Sequence, residues 1–355
     1  MGSPTNAAPF SLGNRSLGQG YPCFLIAEAG VNHNGNPEMA ISLVDAAAKA
    51  GVCSVKFQTF HAERMCSPTA PKARYQKASG LPSESQLEMI RRLELSEETH
   101  RALIRRCGER GILFLSSPFD EASADLLCRL GVAALKIPSG ELTNLPFLDH
   151  VASLGQPVIL STGMASLDEV EEALERLSAL RTAGIALLHC VSAYPADPGD
   201  VNLRAMYTLR ERFGLPVGLS DHTEGIEIPL AAAALGACII EKHFTLDRTL
   251  PGPDHRASLE PPAMAALATG VRKIEAALGN GVKRPAASEQ ETAAVARKSI
   301  IAAVDIPKGV VIRDDMLLIA RPGTGLAPAR IREVVGRSTV RPIPSGTLLS
   351  EEDFQ

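Results

Sequence analysis

Two histidines, His222 and His243, follow short apolar runs at matching positions in the sequence. They stand near the ends of PVGLSDHT (216–223) and CIIEKHFT (238–245). Two neutral imidazoles at neighbouring positions suit a divalent transition metal. With only two protein ligands, other coordination positions stay open to water and substrate oxygens, as a Lewis acid requires. The simpler alternative is that each imidazole only makes a core or capping hydrogen bond.

Lysines and hydroxyls after other apolar runs have the chemistry of an anion site. Ser139 lies in PSG (138–140) and Ser161 in STG (161–163), where nearby backbone amides add further donors. Lys56 and Lys136 add positive charge, so the set suits a phosphate and a carboxylate together. The alternative for each short motif is a strand-to-helix turn with a hydroxyl N-cap.

Further polar side chains occupy the same position after an apolar run. Glu28 and Glu141 suit general acid–base chemistry, or they pair with the lysines. The run CIIEKHFT ends in Glu241, Lys242 and His243, three ionisable residues that core packing alone does not require. The remaining polar residues at such positions are Gln58, Ser117, Ser192 and Tyr194. A fold that gathers the ends of these runs would bring them together.

Eight apolar, β-branched runs alternate with segments that carry apolar residues at helical spacing. Strands that alternate with helices indicate parallel pairing through right-handed crossovers, and uninterrupted apolar strands indicate that both faces are covered. The count of eight predicts an α/β fold, a (β/α)₈ TIM barrel whose active site lies at the carboxyl ends of the strands. An open doubly wound sheet is the alternative, although no GxGxxG follows the first strand. The runs are 23–30, 54–60, 112–119, 133–141, 157–163, 185–192, 216–223 and 238–245.

The composition and the hydrophobic pattern of the sequence change near residue 280. We predict a barrel domain with an N-terminal extension over 1–280, a polar linker over 281–295, and a small C-terminal β domain over 296–355 rich in Pro and Gly. The segment 61–111 holds extra loop before two helical patterns. With 355 residues and 45% apolar residues, the chain can bury a sizeable core.

Composition excludes several classes of protein. The net charge is −4, Trp is absent and aromatic residues make up 4%, so we expect no nucleic-acid partner and no membrane partner. Seven cysteines without a CxxC pair indicate reduced thiols in a cytoplasmic protein. The N-terminal residues lack a basic segment followed by an apolar one, so we expect no secretory signal. No apolar stretch is long enough to span a bilayer.

Long ordered motifs resemble the N-acetylneuraminate (sialic acid) synthase family. The last segment, from ARKSIIA (296–302), resembles the SAF or antifreeze-like domain that ends these enzymes, and the likeness covers the chain from about residue 24. The other motifs are IAEAGVNHNG (26–35), VKFQTF (55–60), APKARYQ (70–76), ESQLEM (84–89), SSPFD (116–120), KIPSGELTNLP (136–146), ILSTGM (159–164), GLSDHT (218–223), EKHFTLD (241–247) and GPDHRASLEP (252–261).

The resemblance implies a homodimeric barrel enzyme that condenses phosphoenolpyruvate with an N-acetylhexosamine, releases phosphate, and uses Mn²⁺, or Mg²⁺ or Co²⁺ in its place. It implies His222 and His243 as metal ligands, and Arg321 of ARPGTG (320–325) as a group that one subunit's SAF domain offers to the other's site. It implies catalytic roles for Glu28, Lys56, Glu141 and Tyr194, and substrate binding by Gln58, Ser117, Lys136, Ser139, Ser161, Ser192 and Asp254.

The motifs do not distinguish well between possible acceptor sugars, because enzymes that use different acceptors share them. N-acetylmannosamine, which gives N-acetylneuraminate, is the first expectation. The rival is a diacetamido-trideoxyhexose, which gives N,N'-diacetyllegionaminate or a related nonulosonate. The chain departs from the family pattern at Ser192, Asp197 and Gly199, beside the acceptor, and at Ser117. A phosphorylated acceptor, a carbohydrate-binding or ice-binding protein without catalysis, and a metal-dependent barrel hydrolase are the remaining alternatives.

Overall fold

Eight parallel strands close into a barrel in the first part of the chain. The computed structural model describes residues 10–13, 15–18, 20–72, 84–180 and 182–355. The order around the barrel follows the sequence, and the last strand pairs with the first. The strands are β3 Phe24–Gly30, β4 Ser54–Thr59, β5 Leu113–Pro118, β6 Leu135–Ile137, β7 Val158–Ser161, β8 Ile185–Cys190, β9 Val217–Asp221 and β10 Ile239–His243. The predicted TIM barrel is confirmed, and each of the eight apolar runs contains one strand.

Helices follow the strands and cover the outside of the barrel, as the helical spacing predicts. Side-chain oxygens of Asn36, Ser96, Asp120 and Ser166 accept from backbone N–H groups at helix starts, which satisfies donors that the helix leaves unpaired. The helices are α1 Pro37–Lys49, α2 Ala62–Met65, α3 Gln86–Arg91, α4 Glu97–Arg110, α5 Glu121–Arg129, α6 Leu145–Ser153, α7 Leu167–Ser178, α8 Ala205–Phe213, α9 Glu227–Ala234, α10 Pro261–Leu278, α11 Gln290–Ala296 and α12 Ile331–Val334.

The strands are buried on both faces, which explains their apolar, non-alternating sequences. Every residue of β3, β7, β9 and β10 is buried. One continuous core joins the strand interiors to the inner faces of the helices. Among the described residues of the first unit, the buried Glu, Asp, Lys and His side chains lie mostly in the strands or in the segments that follow their carboxyl ends.

A short antiparallel hairpin precedes the barrel, and the sequence did not predict it. Its strands are β1 Phe10–Leu12 and β2 Arg15–Leu17. Leu12 and Leu17 are buried in the barrel core. Arg15 Nη1 donates to Cys53 Sγ at 3.4 Å, directly before β4. The hairpin therefore packs at the amino ends of the strands, away from the polar end.

In its described residues, the segment between β4 and β5 carries the short helices α2 and α3 before the longer α4. It builds a separate apolar cluster that includes Phe60, Met89 and Leu93. The motif APKARYQ (70–76) lies outside the described residues from position 73 onward.

The chain divides into two compact units, one ending at Gly279 and the other spanning Asn280–Gln355. The second unit pairs β11 Ser299–Ala302 with β12 Leu317–Ala320 in an antiparallel ladder. Isolated bridges, such as Ile306 with Ile343, complete its irregular β structure. It has its own core, to which Ile300, Ile312 and Leu349 belong. The stretch 281–295, interpreted as a linker, includes most of α11.

All seven cysteines are unpaired, and six of them are buried. Among the described residues, none of the helices is both long enough and apolar enough to cross a bilayer.

Candidate active site

A cavity of about 340 Å³ opens at the carboxyl ends of the strands. Side chains that alternate along each strand point into the barrel at every second position, which brings groups from distant parts of the sequence to one place. The predicted residues that line the cavity are Glu28, Lys56, Gln58, Ser117, Lys136, Ser139, Ser161, Ser192, Tyr194, His222, His243 and Asp254.

Lys56 lies at the centre of a charged network. Its Nζ is 2.6 Å from Glu28 Oε2 and 3.9 Å from Glu241 Oε2. It also donates to Ser117 Oγ at 3.0 Å. Lys136 Nζ lies 3.6 Å from the other oxygen of Glu241, so this carboxylate stands between two ammonium groups. The network fixes two cations deep in the cavity.

Hydroxyl groups extend the network into an anion site. Lys136 donates to Ser161 Oγ at 2.6 Å, and Ser139 Oγ accepts from the backbone N–H of Gly163 at 2.9 Å. A Cβ at Gly163 would lie 2.8 Å from Ser139 Oγ and inside contact distance of Ser192 Oγ. The position therefore needs glycine, because it allows the hydroxyls to converge. Ammonium, hydroxyl and amide donors together suit a phosphate or a carboxylate.

Burial and the two lysines set the protonation of the carboxylates. Burial raises the pKa of Glu28 to about 7, although Lys56 opposes the shift. Burial also raises the pKa of Asp254 to about 6. Burial acts the same way on Glu241, but Lys136 and Lys56 outweigh it and hold its pKa below the ordinary value. Glu28 is thus able to exchange a proton near neutral pH, whereas Glu241 stays ionised.

The pKa values of Lys56 and Lys136 shift in opposite directions. Burial lowers the pKa of Lys56, but the carboxylates of Glu241 and Glu28 outweigh it and the net shift is upward. Burial dominates at Lys136, whose pKa falls below the ordinary value. A bound anion would add to the Glu241 carboxylate in stabilising the ammonium form of Lys136.

His222, His243 and Tyr194 form an aromatic group at one side of the cavity. The two imidazole centroids are 5.3 Å apart, and the Tyr194 ring lies 4.2 Å from that of His222. His222 Nδ1 donates to the Val191 carbonyl at 2.7 Å, which leaves Nε2 with a lone pair. His243 Nδ1 is buried, with no hydrogen-bond partner among the described residues.

The two imidazoles fit a divalent metal. Burial, together with His222 and the nearby lysines, lowers the pKa of His243 well below its ordinary value, so this imidazole is neutral. A neutral imidazole with an unpartnered buried nitrogen can donate a lone pair to a metal ion. Among the described residues, no group of three or more His, Cys, Asp or Glu is arranged to hold a metal ion. An ion held by the two histidines would thus keep positions open to other ligands.

Of the predicted residues, Glu141 does not line this cavity, and Arg321 lies in the second compact unit. Glu141 is half-buried, and its Oε2 accepts from Asn144 Nδ2 at 2.7 Å beside the cavity lining. Arg321 belongs to the second unit, where its Nε donates to the Ala296 carbonyl at 3.1 Å. The catalytic role of Glu141 and the cross-subunit role of Arg321 stay predictions.

Alternation along β10 explains the three ionisable residues at its end. Glu241 and His243 point into the cavity. Lys242 points the other way, where its Nζ lies 2.5 Å from Asp221 Oδ2 and also donates to the Thr223 carbonyl. Two of the three residues serve the cavity, and the third anchors β10 to β9.

Sequence reasoning missed several lining residues. Glu241 was not among the predicted site residues, although it is two positions before His243 and so shares its face. Cys190, whose Sγ lies 3.8 Å from His222 Nδ1, ends an apolar strand and carried no distinguishing signal. The other missed residues include the apolar ones of the β4–β5 segment, Phe60, Met65, Met89, Ile90 and Leu93.

Comparison with known proteins gives matches over almost the whole chain. Residues 43–283 match the model of the NeuB family, and residues 297–355 match that of the SAF domain. N,N'-diacetyllegionaminic acid synthase from Legionella pneumophila is 47% identical over 97% of this chain and 98% of its own length. The Campylobacter jejuni enzyme of the same name is 47% identical over 92% and 98%. The crystal structure of N-acetylneuraminic acid (sialic acid) synthetase from Leptospira borgpetersenii is 39% identical, with a TM-score of 0.73, over 81% of this chain and 95% of that one.

Proposed function

Because this chain belongs to the NeuB family and ends in a SAF domain, we propose that it condenses phosphoenolpyruvate with an amino-sugar aldehyde to give a nine-carbon 2-keto acid and phosphate. The observation that carries the proposal is the convergence of Lys56, Lys136 and the serine hydroxyls beside two metal-competent histidines in one cavity. This arrangement offers one place for a phosphorylated acid and another for a carbonyl oxygen.

The acceptor we propose is 2,4-diacetamido-2,4,6-trideoxymannose, and the product N,N'-diacetyllegionaminate. Two relatives named N,N'-diacetyllegionaminic acid synthase, each 47% identical over more than nine-tenths of this chain, support this acceptor. N-acetylmannosamine, the first expectation from the sequence, becomes the second candidate. The Leptospira borgpetersenii sialic acid synthetase, at 39% identity, is the observation in its favour.

The reaction forms one carbon–carbon bond and one carbon–oxygen bond to water, and it breaks the carbon–oxygen bond to the phosphate. The methylene carbon of phosphoenolpyruvate attacks the aldehyde carbon, and the aldehyde oxygen gains a proton. Water adds to the former enol carbon and loses a proton. The resulting tetrahedral centre then expels phosphate, and the proton of its hydroxyl group passes to the phosphate as the ketone forms. We propose that Lys136, Ser139 and Ser161 stabilise the negative charge of the leaving phosphate, which their convergence in one network supports.

Glu28 is the residue that we propose moves protons. Its pKa of about 7 allows it to give a proton or take one at neutral pH, and Lys56 Nζ at 2.6 Å orients the carboxylate. Glu241, held ionised between the lysines, keeps both ammonium groups in place until the substrate arrives. Confinement of both substrates in one cavity turns a rare encounter into a nearly unimolecular step.

His222 and His243 would hold a divalent ion such as Mn²⁺, which when bound supplies Lewis-acid polarisation of the acceptor's aldehyde. We also propose a homodimer in which Arg321 of one protomer serves the cavity of the other. A cytoplasmic location is consistent with seven unpaired cysteines.

The decisive experiment is phosphate release from phosphoenolpyruvate with Mn²⁺ and each of the two acceptors, with the product mass as a second readout. A higher kcat/KM with the diacetamido-trideoxy sugar, and a product of the legionaminate mass, support the proposal. Preference for N-acetylmannosamine would instead make the chain a sialic acid synthase. Phosphate release with neither sugar would contradict both.

A further inference from the structure

One side of the cavity is an apolar surface that the reaction chemistry does not use. It is formed by Phe60, Met65, Met89, Ile90, Leu93 and Phe119, which all line the cavity, and we call it the apolar wall. Four of these residues are buried, and Met65 and Phe119 pack against them. The wall comes from the segment between β4 and β5 together with the residue that follows β5.

The wall is held in place by contacts between its own residues and by contacts between the elements that carry them. The rings of Phe60 and Phe119 meet edge to face, with centroids 6.1 Å apart. The backbone N–H of Ala62 donates to Glu94 Oε1 at 2.6 Å. Arg91 Nη2 lies 2.7 Å from Glu63 Oε1 and joins α3 to α2. Because the two helices are tied to each other, the wall presents a formed surface to a ligand rather than a loose one.

The wall differs in chemistry from the rest of the cavity. The cations, hydroxyls and imidazoles lie on the residues that end β4 to β10, whereas Gln86 is the one polar lining residue among described positions 60–93. Lys56 and Lys136 lie in the cationic part of the cavity, which the proposed function assigns to phosphoenolpyruvate. The described part of the wall therefore offers no cation to a phosphorylated sugar and few partners to a hydroxyl.

We propose that the apolar wall receives the methyl-bearing edge of the acceptor, its C6 methyl and an acetamido methyl, and so selects a 6-deoxy diacetamido sugar over one with a 6-hydroxyl or 6-phosphate. This inference rests on the proposed function. Phosphoenolpyruvate needs the cationic part of the cavity, so the acceptor takes the part next to the wall. Methyl groups gain from contact with an apolar surface, whereas a hydroxyl loses water there without a new partner.

The test compares kcat/KM for three acceptors in the full-length chain: 2,4-diacetamido-2,4,6-trideoxymannose, N-acetylmannosamine and N-acetylmannosamine 6-phosphate. Met65→Gln places an amide in the wall at a half-buried position with little change in length. We expect it to lower the ratio of kcat/KM for the trideoxy sugar over N-acetylmannosamine by roughly 10-fold. The KM for phosphoenolpyruvate should stay within about 2-fold, because the wall does not contact that substrate; a merely misfolded site would change it.

Met39→Gln is the matched control, since Met39 is also half-buried but lies on α1 outside the cavity lining. It should leave the ratio unchanged. Met65→Leu keeps the wall apolar and should also preserve the ratio. If Met65→Gln does not fold, Met65→Ala replaces it as the variant that removes apolar contact, with Met65→Leu as its control.

The outcomes separate the two proposals. If the wild-type chain prefers the trideoxy sugar and Met65→Gln leaves the ratio unchanged, the wall has no role in selection while the function stands. Faster turnover of the 6-phosphate than of either other sugar would also overturn the wall's role. If the wild-type chain releases phosphate with none of the three, the proposed function itself fails.

Discussion

The ammonium nitrogen of Lys56 lies 2.6 Å from Oε2 of Glu28, and both side chains are only 4% exposed. Removal of Lys56 would take the nearest cation from two buried carboxylates, Glu28 and Glu241, whereas removal of Glu28 would leave Lys56 paired with Glu241. The same contact holds the Glu28 carboxylate toward the cavity. Stability and chemistry therefore depend on one buried ion pair.

Glu28→Gln should lower kcat by roughly 10²–10⁴-fold, because it removes the group that exchanges a proton near pH 7. The KM for phosphoenolpyruvate should change far less. The pH profile of kcat should lack the limb near neutral pH that the Glu28 pKa of about 7 predicts for the wild type. Glu172→Gln, on the exposed side of α7, is the control and should behave as the wild type. An unaltered pH profile in Glu28→Gln would exclude Glu28 as the proton-transfer group.

His243→Ala should abolish Mn²⁺-dependent phosphate release and weaken Mn²⁺ binding by roughly 100-fold or more, because one of two imidazole ligands is lost. Titration of Mn²⁺ followed by electron paramagnetic resonance measures binding without any need for turnover. His150→Ala, which removes a histidine outside the cavity lining, should retain the wild-type affinity. Full binding in His243→Ala would place the metal elsewhere.

Gly163→Ala should raise the KM for phosphoenolpyruvate by roughly 10-fold or more, since the added methyl group would push Ser139 and Ser192 apart. Gly108→Ala is the matched control. A Cβ there meets nothing within 4 Å, and the residue lies inside α4, so the protein should gain up to about 1 kcal/mol in free energy of unfolding without a change in activity. A normal KM in Gly163→Ala would show that the hydroxyls are not phosphate ligands.

Acid should destabilise the protein through His33, which is completely buried and whose pKa burial lowers from 6.5 to about 4. Its Nδ1 accepts from the Gly35 N–H, so the neutral ring is the form that fits. Between pH 6.5 and 4 the unfolded chain binds more protons at this residue than the folded chain. The free energy of unfolding should therefore fall by about 3 kcal/mol from this residue as pH drops through that window. Denaturant melts of wild type and His33→Gln check this, and equal slopes against pH would contradict it.

The barrel could be predicted from the sequence because a strand covered on both faces has to be apolar along its length. Turns and polar residues then mark where each strand ends. The carboxyl ends of parallel strands share one face of the barrel, so the residues that follow the runs gather there. His222 directly follows β9 and His243 ends the adjacent strand β10, so the two imidazoles meet there.

The other features of the site could not be predicted, because the hydrophobic pattern does not show in which direction a loop or helix side chain points. Ser139 and Glu141 are two positions apart, yet a tight turn sends only Ser139 into the cavity. Met89 and Ile90 look like ordinary helix core residues until the fold places them beside the charged groups. The β1–β2 hairpin was missed because three-residue strands are too short to show a period.

The pairing of β10 with β3 sets Glu28 beside His243 across the seam at which the barrel closes. Asn32 Nδ2 donates to the Phe244 carbonyl across this seam, between residues 212 positions apart. Contacts of such separation form late in folding, since a long loop has to close before they are gained. Both lysines of the cavity contact Glu241 on β10, so the charged network is complete only once β10 pairs with β3. If the chain has the proposed activity, the regain of activity during refolding would therefore report closure of the barrel.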